Sequence, residues 1–114
     1  MNPGKHNLIC PQRATFTKSF RLYDSNDVAM SLSGYTAAME ARETYASESA
    51  LFTLTSPSSG ITISDNEITV TIPWTDTQDF PAGKYVWDLV ITSSGGVKSR
   101  IVEGSFTVTP GVTQ

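Results

Sequence analysis

Two-residue alternation of apolar side chains between Phe80 and Pro110 constrains this chain more than any other feature. Tyr85, Trp87, Leu89 and Ile91 share one parity, and Val86, Asp88 and Val90 share the other. Successive side chains of a strand point to opposite faces, so the pattern gathers four large apolar groups on one face of a sheet. Pro81-Ala82-Gly83 launches this strand. Ser93-Ser94-Gly95-Gly96 reverses it, since glycine supplies the positive φ that tight hairpins need. On the return strand Val97 and Ile101 hold one parity while Val102, Phe106 and Val108 hold the other. A one-residue slip exchanges the two faces, which predicts a bulge near Gly104.

The same period runs through most of the chain. Phe16, Phe20 and Leu22 share a parity interrupted only by Lys18 and mark a strand over about 14–23, closed by a turn at Asp24-Ser25-Asn26-Asp27. Tyr35, Ala37, Met39 and Ala41 face inward on a further strand. Helical propensity is high from Ala37 to Glu43, but an isolated helix of that length is marginal and its neighbours are all β. Leu51 to Thr55, the loop Pro57-Ser58-Ser59-Gly60, Ile61 with Ile63, the turn Ser64-Asp65-Asn66-Glu67, and Ile68, Val70 and Ile72 complete the series. After Pro73, the residues Thr75-Asp76-Thr77-Gln78-Asp79 are expected to form one helical turn capped by Thr75 or Asp76. About seven short strands with turn signals every eight to twelve residues predict an all-β fold, an antiparallel β-sandwich of immunoglobulin-like architecture. The paired cysteines of true immunoglobulin domains are missing.

With 114 residues the chain fits a single core. The alternating region defines a domain over residues 14–109. Residues 1–13, with two prolines and little alternation, read as an N-terminal arm, and residues 110–114 as a C-terminal tail; each is a segment that either frays or orders on a neighbour. Only 17% of residues are charged, below the usual quarter, as expected where part of the surface is covered by other subunits. Net charge is −3 and the eight basic residues are scattered, so no basic stripe is available for nucleic acid. Cys10 is the single cysteine and cannot form an internal disulfide, which fits folding in a reducing cytosol. The apolar run Leu8-Ile9-Cys10 is far too short for a signal-peptide core or a membrane span.

Catalytic chemistry finds little to work with. A hydrolytic triad needs a base, and the only histidine, His6, falls in the arm. His6 and Cys10 together fall short of the four ligands of a structural zinc site, and Asp24 to Asp27 lack the glycine and distal glutamate of an EF-hand calcium loop. Paired carboxylates for glycoside hydrolysis would need a cleft that so small a sandwich has little room for. No enzyme activity and no cofactor are expected. Among the aromatic residues Trp74, Trp87, Tyr35, Tyr45 and Tyr85, alternation assigns Trp87 to the core. Trp74, following Pro73 in a loop, is the best candidate for an exposed contact.

The order of motifs also carries a resemblance. The strand Ala14 to Phe20, then Asp24-Ser25-Asn26, Leu32-Ser33-Gly34-Tyr35-Thr36-Ala37-Ala38-Met39, Gly60-Ile61-Thr62-Ile63, Phe80-Pro81-Ala82-Gly83-Lys84-Tyr85-Val86-Trp87-Asp88-Leu89 and Val102 to Val108 resembles small virion proteins of tailed bacteriophages. It is similar to the N-terminal β-sandwich of phage baseplate upper proteins. The resemblance implies a structural role in tail, baseplate or neck, made in the host cytoplasm and residing in the virion. Its partners would be other virion proteins, with copies forming a homo-oligomer about a symmetry axis and with no nucleic acid or membrane. Baseplate proteins of that kind continue into a stalk or receptor-binding region, whereas this sequence stops at Gln114, which favours an adaptor or decoration subunit. Asn7, Leu8, Ile9, Trp74 and Val112 are the expected partner contacts. Capsid decoration is the rival placement, and a carbohydrate-binding module presenting Trp74 is the rival function.

Overall fold

A computed structural model describes residues 4–23, 26–44, 46–47, 50–56 and 60–111. Among them the fold is all-β. It has nine strands and one short helical turn: β1 (Gly4–Lys5), β2 (Leu8–Pro11), β3 (Phe16–Arg21), β4 (Thr36–Arg42), β5 (Phe52–Thr55), β6 (Ile61–Ser64), β7 (Glu67–Ile72), α1 (Trp74–Thr77), β8 (Gly83–Thr92) and β9 (Lys98–Thr109). One sheet has the order β1-β9-β8-β4-β5, with β2 also on β9, and the other has the order β3-β7-β6.

The alternation in β8 is realised as read, with Tyr85, Trp87, Leu89 and Ile91 buried. Residues 36–42 form a strand, burying Ala37, Met39 and Ala41. Local helix propensity loses there because β4 hydrogen-bonds on both sides, to β5 and to β8. The buried faces of the two sheets share one core. Phe16 and Phe20 of β3 meet Phe106 and Trp87 of the other sheet with ring centroids 5.6 and 5.8 Å apart. Phe52 continues the cluster to Phe106 at 5.1 Å and stacks on Phe80 at 5.6 Å. Such pairs contribute about 0.5–1.5 kcal/mol each beyond the area they bury.

Four expectations are corrected. The strands number nine rather than about seven, because residues 4–11 add two. The pairing is not purely antiparallel, since β1 and β2 run parallel to β9. The bulge lies at Ile101 rather than Gly104: Leu89 pairs with Val102 and Val90 with Arg100, leaving Ile101 as the extra residue. Ile101 and Val102 are consecutive and both buried, so the phase must change between them. Finally, α1 starts one residue early, with Pro73 in extended conformation as its N-cap and no side-chain cap.

Turns follow the predicted chemistry where they are described. Asp65 sits at φ 54° in the β6–β7 turn and Gly96 at φ 87° in the β8–β9 turn, where Ser93 N–H donates to Val97 O at 2.9 Å. Of the turn expected at 24–27, Asp24 and Ser25 lie outside the described residues, and Asp27 adopts φ 61°. Pro57, Ser58, Ser59 and Tyr45 also lie outside them.

Candidate contact surfaces

Residues 4–11, read as part of an arm, lie along β9 of their own chain in one constant register, Gly4 opposite Val102 and Leu8 opposite Phe106. Strand alternation sorts the three expected contacts there. Leu8 is buried in the core beside Cys10, whereas Ile9 between them is 64% exposed. Asn7 is exposed, and its Oδ1 accepts from Ser105 N–H at 3.3 Å and from Ser105 Oγ–H at 3.0 Å. The chain closes over residues 12–13: Gln12 N–H donates to Thr109 O at 2.9 Å and its side chain donates to Phe80 O at 2.7 Å. Gln12 Oε1 accepts from Gly111 N–H at 3.1 Å, and Arg13 donates to Gly111 O at 2.7 Å, so residues 12–13 and Gly111 are tied together. Val112 lies outside the described residues.

At His6 the backbone leaves the plane of the sheet and crosses over Gly104. Its N–H still donates to Glu103 O at 2.9 Å, while its carbonyl accepts the indole N–H of Trp87 at 3.0 Å. Trp87 and Gly104 are directly opposite each other on β8 and β9. Only the missing side chain at 104 lets the His6 carbonyl reach the indole, because a Cβ there would overlap that carbonyl. The His6 ring packs edge-on against Phe20 at 5.7 Å.

Cys10 is fully buried, and burial pushes its thiol up to about 11 from an ordinary 9.0. Thiolate is the reactive form, so the folded protein shields this sulfur. Between about pH 9 and 11 the unfolded thiol ionises while the folded one stays protonated, so the unfolded state binds fewer protons and stability falls as pH rises through that window. We expect Cys10 to stay unmodified by a thiol-specific disulfide reagent at pH 8 and to react within seconds once urea unfolds the chain. Fast labelling of the native protein would contradict its burial.

Trp74 is 52% exposed on α1, which is anchored from below by Thr77, whose fully buried hydroxyl donates to Ala14 O at 2.9 Å. Tyr85 O–H donates to Pro81 O at 2.7 Å, bracing the entry to β8, and burial of the phenol, with the nearby charge of Glu43, raises its pKa. On the outward face of the larger sheet Glu40, Asp88 and Glu103 stand side by side across β4, β8 and β9. Arg42 meets Glu40 at 2.7 Å and Arg100 meets Asp88 at 3.1 Å, offsetting repulsion between directly opposed carboxylates. Among the described residues no group of three or more His, Cys, Asp or Glu is arranged to hold a metal ion, and no helix is long and apolar enough to cross a membrane.

A groove of about 340 Å³ opens between the two sheets where β3 faces β1. It is lined by His6, Lys18, Phe20, Arg21, Tyr23 and Val102, among others. Sequence reading passed over this site, although Lys18 breaking the parity of Phe16 and Phe20 was its signal. The sequence matches no protein-family model, and no curated protein matches it at a significant level of similarity.

Proposed function

We propose that this chain is a non-enzymatic structural subunit of a bacteriophage virion, an adaptor or decoration protein of tail, baseplate or neck that works through protein–protein contacts. The observation that carries the reading is the set of open strand edges. β3 and β6 border the smaller sheet, and β1, β2 and β5 border the larger, with backbone groups available on one side apart from the bridge of Thr55 to Gly60. Such edges are templates for pairing with another chain, which suits a module built to be incorporated. The bonds that tie residues 12–13 to Gly111 add rigidity, so the module offers preformed surfaces and loses little entropy on docking.

The finer architecture belongs to the same proposal. We read the fold as an immunoglobulin-like sandwich, in which β3-β7-β6 and β4-β8-β9 correspond to the two halves of that topology and β5 extends the second. The Tyr85 bond to Pro81, at the corner leading into β8, supports it as the counterpart of the tyrosine corner.

Antibody raised against the purified chain should label intact particles at one position by immunogold electron microscopy, and the chain should co-sediment with them. Signal confined to the soluble fraction of the lysate would remove the virion reading. Exposed Trp74 favours glycan binding as the second reading, but Tyr23, the other tyrosine or tryptophan exposed among the described residues, lies at the opposite end of the smaller sheet. The two form no shared platform.

A further inference from the structure

β3 is an edge strand with a known polarity. Leu22 N–H donates to Asn66 O at 2.9 Å, continuing the ladder in which Phe20 opposes Ile68 and Lys18 opposes Val70. Backbone groups alternate in direction along a strand, so Phe16, Lys18 and Phe20 address β7 while Thr17, Ser19 and Arg21 turn their N–H and C=O groups to the open side. That side borders the groove against β1.

Among the described residues the charged side chains there are of one sign. Lys18 and Arg21 line the groove, Lys5 stands next to it on β1, and the described lining holds no carboxylate, in a chain whose net charge is −3. Arg21 is paired with Glu67 at 3.1 Å, but among the described residues neither Lys5 nor Lys18 has an ion-pair partner. Lys18 shares the core-facing parity of Phe16 and Phe20 yet is only half-buried, so its ammonium group sits at the groove rather than in the core.

We propose that the open edge of β3, with the groove beside it, is a strand-addition site for an extended acidic segment of another protein, whose carboxylates meet Lys18. The added strand becomes the fourth of the smaller sheet and fills the gap toward β1. An inward-facing lysine on an edge strand discourages indiscriminate pairing. Here it also selects by charge. A second copy of the same edge brings Lys18 and Arg21 against their like, and the other edge strands, β1, β2, β5 and β6, carry no acidic residue within the strand. The groove, near the small end of the ~300–1,000 Å³ range of ligand clefts, admits a few side chains of an extended segment rather than a folded surface. The inference rests on the reading of the chain as an assembly subunit only for the source of that segment.

The test uses the full chain and a displayed library of random decapeptides. Selected peptides are expected to carry Asp or Glu at every second position. Binding of a selected peptide should slow amide exchange at Ser19 and Arg21 by at least tenfold, because those N–H groups become bonded. Lys18→Glu should weaken it at least tenfold and shift selection toward basic peptides. Ser19→Pro removes an edge donor that β7 does not use, and should abolish binding while leaving the thermal midpoint within a few degrees. An unenriched library, selection of apolar or basic sequences by the natural chain, or binding indifferent to both substitutions would overturn the proposal. Acidic strands selected by a chain absent from particles would leave this site standing and remove the virion reading. A chain present in particles that selects nothing at β3 would do the reverse.

Discussion

Gly104→Ala is expected to destabilise the protein by about 3 kcal/mol, and Gly95→Ala by less than about 0.5 kcal/mol, although both glycines lie in the same hairpin. A methyl group at 104 overlaps the His6 carbonyl. His6 must then lift away, and the indole N–H of Trp87, which is 2% exposed, loses its acceptor at 3.0 Å. A buried donor left without a partner costs about 1–3 kcal/mol, and the parallel pairing on either side of His6 weakens with it. Alanine's higher β propensity recovers only a fraction. At Gly95 the added group meets only Ser93 Oγ at 3.9 Å, and φ is not positive. Urea unfolding followed by tryptophan fluorescence checks this: the midpoint should fall for Gly104→Ala with the slope unchanged. Equal midpoints for the two variants would mean that the crossing of His6 over β9 does not hold in solution.

The contrast also says what kind of information the sequence carried. Parity identified the buried faces of β4, β7 and β8, because burial of one face is a local, repeating property. It assigned Ile101 and Val102 to opposite phases, but it could not tell which residue bulges. Gly104 drew the bulge because glycine in a strand marks either a bulge or a close backbone approach, and here the approach comes from a segment about a hundred residues away. Parallel pairing of residues 4–11 was illegible for the same reason. Leu8 and Cys10 do alternate with Ile9, but three residues beside two prolines give too short a period, and register with β9 is a tertiary fact. Lys18 was visible as a broken pattern. Its meaning required knowing that β3 is an edge.

Deleting residues 1–11 should cost about 5 kcal/mol or more, much of the ~5–15 kcal/mol that holds a typical domain together. An arm that merely fringes the domain would cost almost nothing. The deletion removes Leu8, 7% exposed, and Cys10, fully buried, from beside Phe106 and Val108, and losing one large buried aliphatic side chain alone costs about 2–5 kcal/mol. It also takes away the acceptor of Trp87 and leaves β9 as an open edge flanked by apolar side chains. Such an edge pairs readily with another chain, so whatever survives should self-associate. A synthetic peptide spanning residues 4–13 supplied in trans should reverse both effects, raising the thermal midpoint with peptide concentration as mass action requires and returning the scattering mass to that of one complex. A truncated chain as stable and as monodisperse as the full one would show that the first strands are dispensable, and would reopen β9 as a surface for partners.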